Sequence, residues 1–161
     1  IVSQGPAETM AAVNTALVRR GIQGRFVTLF YGVLYRDGRL SYCNAGHNPP
    51  MLATHGSGIQ RLETGGMVLG LFDGVEYEQG TATLAPGDFR VVFSDGVSEA
   101  LNPSDEEFGD DRLRSSIGRM TDAAVEPRLQ HVFRSVSDFT AGAAQHDDVT
   151  AMIVGYRGSD G

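Results

Sequence analysis

Two acidic positions combine a metal-ligating side chain with a place at the end of an apolar segment. Asp95 follows FRVVFS directly and precedes Gly96, which lets a ligand approach the backbone closely. Asp147 and Asp148 stand just before the apolar segment VTAMIVGY. If the two segments are antiparallel neighbours, both acidic ends face one cleft, where carboxylates repel each other unless a divalent cation supplies the opposite charge. Ligand sets made only of oxygen favour Mg²⁺ or Mn²⁺ over zinc.

A purely structural interpretation of these acids is also open. Asp95 could cap the turn formed by VSEA, and Asp147 and Asp148 could simply begin a strand. Aspartate is common at helix caps and in turns, so spacing alone favours this alternative.

The elements that must position these acids can be predicted along the chain. Residues 6–20 have proline near the start and apolar residues at helical spacing, which predicts an amphipathic helix. FVTLFYGVLY and RLSYCNAG flank an Asp37-Gly38 turn, a pattern typical of a β-hairpin. Short strands and loops follow, with the glycines of TGGMVLG predicted as turns.

The two apolar segments beside the acids predict central strands, buried on both faces. Between them, DDRLRSSIGRM begins with acids that suit a helix N-terminus. A second helix is predicted from the apolar face of Val125, Leu129, Val132, Val136 and Phe139. The sum is an α+β fold, mostly antiparallel sheet with helices packed on it.

Charge and composition exclude several classes of function. The net charge of −7 argues against nucleic acid as a partner, because binding to its backbone depends on clustered Lys and Arg. No segment reaches the ~20 apolar residues needed to cross a bilayer. We therefore expect a cytoplasmic protein that makes no membrane contact. Cys43 is the only cysteine, and its place in a predicted strand indicates a buried, inert thiol.

Two histidines are weaker candidates for the site. His47, in NAGHNPP, could act as a general acid or metal ligand, although a histidine at a hairpin end more often fixes a loop by hydrogen bonding. His146 could orient Asp147, although an exposed histidine at a strand edge is the simpler interpretation. His55 and His131 have no supporting context.

Four segments, in this order, carry a family resemblance that runs from about residue 27 to residue 155: NAGHNPPML, GDFRVVFSDGVSEA, FGDDRL and HDDVTAMIV. Together they resemble the bacterial SpoIIE/RsbU-like branch of the PPM-type metal-dependent Ser/Thr protein phosphatases. The resemblance implies an αββα sandwich of two mostly antiparallel sheets flanked by helices. It also implies that Asp95 and Asp147 are metal ligands and act in catalysis through the bound metal, with Asp148 as a second choice.

The same resemblance implies an activity and its partners. The expected reaction is hydrolysis of phosphoserine or phosphothreonine on a protein, with two Mn²⁺ or Mg²⁺ ions activating a water. A phosphorylated anti-sigma-factor antagonist is the substrate suggested by this branch, under the control of an upstream sensor or regulatory domain in bacterial signal transduction.

The sequence departs from the family pattern at its beginning. The early G-D-x-x-D metal motif does not occur, and neither Gly87-Asp88 nor Gly109-Asp110 replaces it, since one precedes a strand and the other begins a helix. We therefore expect residues 1–161 to be a single domain, the C-terminal portion of a phosphatase domain whose N-terminal strands are missing. The polypeptide alone should be nearly inactive, and the opened sheet edge suggests a homodimer. A non-catalytic regulatory or protein-binding module that retains the fold is the alternative.

Overall fold

The computed structural model describes residues 5–21, 24–55, 58–120 and 124–158. The chain divides into two compact units: unit 1 comprises residues 1–49, 62–84 and 158–161, and unit 2 comprises residues 50–61 and 85–157. In chain order the elements are α1 (Pro6–Arg19), β1 (Leu29–Leu34), β2 (Arg39–Ala45), β3 (Met51–Thr54), β4 (Gly58–Arg61), β5 (Gly65–Gly66), β6 (Gly80–Thr83), β7 (Phe89–Phe93), α2 (Asp95–Ser98), α3 (Gly109–Gly118), α4 (Val125–Thr140) and β8 (Ala151–Gly155).

Unit 1 contains the predicted helix and hairpin. β1 and β2 pair antiparallel from Leu29 opposite Ala45 to Leu34 opposite Leu40, which confirms the hairpin. Its turn is closed by the backbone N–H of Arg39, which donates to Asp37 Oδ1 at 3.0 Å. β6 adds to β2 antiparallel, whereas β5 pairs with β2 in parallel.

The prediction that the glycines of TGGMVLG form turns was wrong for Gly65 and Gly66, which form the short strand β5. A Cβ atom on Gly65 would lie 1.8 Å from the carbonyl oxygen of Asn44 in β2. The glycine therefore serves close strand approach at this position rather than a turn.

The core of unit 1 lies where α1 covers its sheet. Met10, Cys43, Ala45 and Leu69 are buried together, which confirms both the inward face of α1 and the buried cysteine. Burial raises the pKa of the Cys43 thiol to about 11. The thiol is thus protonated at neutral pH, the form with little nucleophilic reactivity.

Unit 2 contains the four-stranded sheet that carries the two candidate acids. Its strand order is β4-β3-β7-β8, with antiparallel pairing throughout. β7 is central, as predicted, but only the face of Phe89, Val91 and Phe93 is fully buried, since Arg90 and Val92 are half-buried on the other face. β8 is the last strand of that order in the described part of the chain, so the prediction of a second central strand, buried on both faces, was wrong. Met152 is 51% exposed on it.

Helices α3 and α4 confirm the predicted helical region between the two strands. Val132 and Val136 of α4 are buried in the core of unit 2, and the other predicted apolar residues of that face pack against it: Val125, Leu129 and Phe139. None of the described helices combines the length and apolarity required to cross a membrane. The predicted α+β class, with two mostly antiparallel sheets and flanking helices, is confirmed.

Candidate metal centre

The pairing of β7 with β8 brings the two candidate acids to one end of the sheet. The strands are antiparallel, with Phe93 opposite Ala151 at this end. Asp95 comes two residues after Phe93, and Asp147 comes four residues before Ala151. The end of β7 and the start of β8 therefore lie side by side. This is the arrangement predicted from two apolar segments that pair antiparallel, with one followed and the other preceded by acids.

Ser94 ties these two chain segments together. Its hydroxyl donates to the carbonyl oxygen of Asp148 at 2.8 Å and accepts from the backbone N–H of Thr150 at 3.0 Å. Its own backbone N–H donates to the Thr150 carbonyl, also at 3.0 Å. Ser94 is the N-cap residue of α2 but makes no side-chain cap bond, because its hydroxyl is engaged across the strand pair.

Gly96 allows the segments to come this close. It is buried, and a Cβ atom at this position would lie 2.4 Å from the carbonyl oxygen of Asp148 and 2.8 Å from its carbonyl carbon. Real Cβ atoms essentially never make contacts under 3.0 Å. The glycine of the SDG sequence is thus required for the approach of Asp95 to the Asp147-Asp148 segment.

Each candidate carboxylate is exposed and held by a neighbouring backbone amide. The N–H of Gly96 donates to Asp95 Oδ1 at 3.2 Å, and the N–H of Asp148 donates to Asp147 Oδ1 at 2.7 Å. No described residue donates a hydrogen bond to the second oxygen of either carboxylate. Asp95 is the first residue of α2 and Ser94 is its N-cap, so the interpretation of Asp95 as the cap was wrong, and its role as a metal ligand stays a prediction.

The carboxylate oxygens of Asp95 and Asp147 are suitable ligands for a hard divalent cation, but two carboxylates supply only part of its ligand shell. Among the described residues, no group of three or more His, Cys, Asp or Glu side chains is placed to hold a metal ion. Proteins often hold Mg²⁺ through only one or two carboxylates, with water and substrate phosphate completing its shell. Asp95 and Asp147 could therefore hold such an ion together with further oxygen ligands.

The two histidine candidates have different surroundings. His47 lies in unit 1, where the Asn44 side chain accepts from its backbone N–H at 2.8 Å and donates to its carbonyl at 2.9 Å. This is a loop-fixing role, although the fixing group is the asparagine. His146 is exposed beside Asp147. The group that orients the Asp147 carboxylate is the N–H of Asp148 rather than His146.

Sequence reasoning missed a polar pair in unit 2, in which a buried aspartate meets an exposed histidine. Asp88 is only 3% exposed, and its Oδ1 lies 2.9 Å from Nδ1 of His55 while accepting from the His55 N–H at 3.0 Å. Its Oδ2 accepts from the N–H of Ala85 at 2.8 Å. Burial alone would raise the pKa of Asp88, but these hydrogen bonds outweigh it and lower the pKa below the ordinary value of 3.8.

Asp88→Asn should destabilise the protein by about 1–3 kcal/mol at pH 7, because the amide that replaces the buried carboxylate presents a donor to an N–H that loses its acceptor. A carboxylate with a lowered pKa stabilises the fold above its ordinary pKa and loses this contribution as pH falls through the lowered value. The difference in free energy of unfolding between wild type and variant should therefore shrink below pH 3.8. Urea unfolding between pH 7 and pH 3 measures it.

Asp138→Asn is the matched control for this prediction, since Asp138 is exposed on α4 in the same unit. It should change the free energy of unfolding by less than about 0.5 kcal/mol. A difference between Asp88→Asn and wild type that is constant or grows as pH falls would contradict the assignment.

Known proteins are similar to this chain in sequence and in fold. The sequence profile of Stage II sporulation protein E (SpoIIE) matches residues 2–157. Protein IcfG of Synechocystis is 32% identical over 138 residues, which is 85% of this chain and 22% of that protein. Phosphoserine phosphatase RsbU of Bacillus subtilis is 26% identical over 158 residues, which is 92% of this chain and 44% of that protein. The chain thus spans less than half of either relative.

Solved structures of phosphatases have the same fold as this chain. The SiaA-PP2C domain of Pseudomonas aeruginosa superposes with a TM-score of 0.80 at 18% identity, covering 97% of this chain and 63% of that one. The phosphatase domain of SpoIIE from Bacillus subtilis, presoaked with Mn, gives a TM-score of 0.67 at 16% identity, covering 94% and 65%. RsbX in complex with magnesium gives a TM-score of 0.62 at 18% identity, covering 94% of this chain and 64% of that one.

These matches confirm the resemblance predicted from NAGHNPPML, GDFRVVFSDGVSEA, FGDDRL and HDDVTAMIV. They also account for the two mostly antiparallel sheets and their helices, which are those of PP2C phosphatase domains. Fold and sequence together place the chain in the SpoIIE family of PP2C-type phosphatase domains.

Proposed function

We propose that this chain is the C-terminal portion of a metal-dependent phosphatase domain that hydrolyses phosphoserine or phosphothreonine on a protein. The observation that carries the proposal is the register of β7 and β8, which brings Asp95 and Asp147 to one sheet end. The name of the relative RsbU, a phosphoserine phosphatase, supports the substrate class. The proposal includes the cytoplasmic location, an upstream sensor domain and a phosphorylated anti-sigma-factor antagonist as substrate.

The residues of the chain have defined parts in this reaction. Asp95 and Asp147 would bind Mn²⁺ or Mg²⁺ through their exposed oxygens, while the N–H groups of Gly96 and Asp148 fix the carboxylates. Ser94 ties the two ligand-bearing segments together through its hydroxyl. Two bound divalent ions would supply an activated water and neutralise the charge of the phosphoryl oxygens.

The two carboxylates alone should bind metal weakly. No third acidic or histidine ligand joins them among the described residues, and a Mg²⁺ site of this kind depends on substrate phosphate. We therefore propose that residues 1–161 by themselves are nearly inactive and that turnover belongs to the full-length protein.

Phosphatase assays with the full-length protein test the proposal. Hydrolysis of p-nitrophenyl phosphate and of a phosphoserine protein should require Mn²⁺ or Mg²⁺, stop with a chelator and return when the metal is restored. Turnover that persists in excess chelator would overturn the metal-dependent reaction. If residues 1–161 turn over substrate as fast as the full-length protein, the proposal that they are nearly inactive by themselves is wrong.

A non-catalytic regulatory or protein-binding module is the second candidate, favoured by the lack of a three-ligand group among the described residues. Such a protein would bind the phosphoprotein without hydrolysing it under any metal condition. Equilibrium binding measured beside the assay separates the two functions.

A further inference from the structure

A cavity of about 300 Å³ in unit 2 adjoins the candidate metal centre. It lies between the loop that follows α2, the C-terminal half of α4 and the segment 143–149. Gly96 and Asp147 form part of its wall. The cavity and the candidate site therefore share both a ligand-bearing segment and the glycine that brings the segments together.

The floor and the rim of this cavity differ in chemistry. Half-buried or buried apolar side chains form the floor: Leu101, Phe133, Val136, Ala143 and Val149. Exposed polar side chains form the rim: Glu99, Ser137, Gln145 and His146. An apolar floor with a few polar groups at its mouth is typical of a ligand pocket. The described residues that line it include no lysine or arginine, so none of them offers a cation to hold a phosphate.

The size and place of the cavity indicate what it binds. At about 300 Å³ it lies at the lower end of ligand pockets, which is large enough for an apolar side chain and too small for a whole structural element. A phosphoserine presented to Asp95 and Asp147 would carry its chain neighbours past the cavity mouth. Because successive Cα atoms are ~3.8 Å apart, residues within three positions of the phosphoserine lie within about 11 Å of it along the chain.

We propose that this cavity is a specificity pocket, which binds an apolar side chain of leucine or methionine size within three residues of the phosphoserine in the protein substrate. The inference rests on the proposed function and adds a sequence preference to it. The apolar floor provides the binding surface, and the shared wall with Asp147 fixes its place beside the reacting phosphate.

The test compares three phosphoserine peptides with the full-length protein and Mn²⁺. Leucine, alanine or lysine occupies the positions around the phosphoserine, and each kcat/KM is divided by the same enzyme's value for p-nitrophenyl phosphate, which has no neighbouring residues. The leucine peptide should exceed the alanine peptide by about 10-fold or more, since small changes in apolar size in such a pocket alter kcat/KM by ~10–200-fold.

Two variants connect this preference to the cavity. Ala143→Phe fills the cavity and Phe133→Ala removes part of its apolar floor. Each should reduce the leucine-to-alanine ratio of kcat/KM to about 3 or less, because the apolar contact with the substrate side chain is lost. Ala12→Phe makes the matched change at an exposed position of α1 in unit 1 and should keep the wild-type ratio. Circular dichroism checks that each variant is folded.

Each other outcome counts against a definite claim. Equal values for leucine and alanine peptides, or a preference for lysine, would overturn the pocket while turnover of p-nitrophenyl phosphate still supports the phosphatase. If both cavity variants keep the preference for the leucine peptide, the leucine side chain binds outside this cavity and the proposed pocket is wrong. Absence of p-nitrophenyl phosphate turnover in the wild type would overturn the proposed function itself, and the pocket with it.

Discussion

Asp95→Asn is expected to abolish phosphatase activity in the full-length protein while the fold stays intact. Asp95 is exposed, and an asparagine oxygen can still accept the hydrogen bond from the N–H of Gly96. The substitution therefore removes a charge that binds metal and leaves the packing unchanged. Loss of a partner outside the ligand shell typically costs a metal site ~10–100-fold, so loss of a ligand should reduce kcat/KM by at least about 100-fold.

Turnover of p-nitrophenyl phosphate across an Mn²⁺ titration measures this effect, and circular dichroism with thermal unfolding reports the fold. Asp111→Asn is a suitable control, since Asp111 is an exposed acid in the first turn of α3 in the same unit. It should keep wild-type turnover and Mn²⁺ dependence. If Asp95→Asn turns over at the wild-type rate with the same Mn²⁺ requirement, Asp95 is not a ligand.

The strand pair that carries the site could be predicted because its signals are local and mutually consistent. FRVVFS and VTAMIVGY are the most apolar segments of the C-terminal half; Asp95 directly follows the first, and Asp147 and Asp148 directly precede the second. Antiparallel pairing of two such segments puts Asp95 and the Asp147-Asp148 pair at the same end. Their place at the tips of β7 and β8 follows directly from that pairing.

The role of Ser94 could not be predicted, because it depends on residues far away in the chain. Its partners Asp148 and Thr150 follow it by 54 and 56 positions. A serine before a short helix is expected to cap it. Here the hydroxyl instead bonds to the carbonyl of Asp148 and the N–H of Thr150. A serine hydroxyl can bond to the start of its own helix or to a neighbouring strand. The tertiary fold decides between them, and the local sequence does not predict the outcome.

The pair His55 and Asp88 was missed for a similar reason, since 33 positions separate the two residues. The position of β8 in its sheet illustrates another limit. An apolar composition indicates burial but does not distinguish a central strand from the last strand of a sheet, and Met152 is half exposed there. Strand order is set by pairing partners that the segment itself does not encode.

Gly96→Ala is expected to be nearly as damaging as loss of the ligand, although it changes no charged group. The added Cβ would lie 2.4 Å from the Asp148 carbonyl oxygen, and ordinary van der Waals contact begins at 3.4 Å. The two segments must therefore separate by about 1 Å, and a misplacement of that size can cost catalysis about 100-fold. Overpacking of this kind also costs about 1–3 kcal/mol of stability, which urea unfolding should detect.

Gly118→Ala is the matched control for this variant. Gly118 is the last residue of α3 in the same unit, and a Cβ there would lie 3.7 Å from the Ile59 Cδ1, an ordinary contact. It should retain wild-type turnover and stability. Because Gly96→Ala keeps both carboxylates, its defect should show as a weaker Mn²⁺ affinity and a lower kcat together. Wild-type affinity and turnover in Gly96→Ala would mean that the close approach of the Asp95 and Asp147 segments does not determine the metal site.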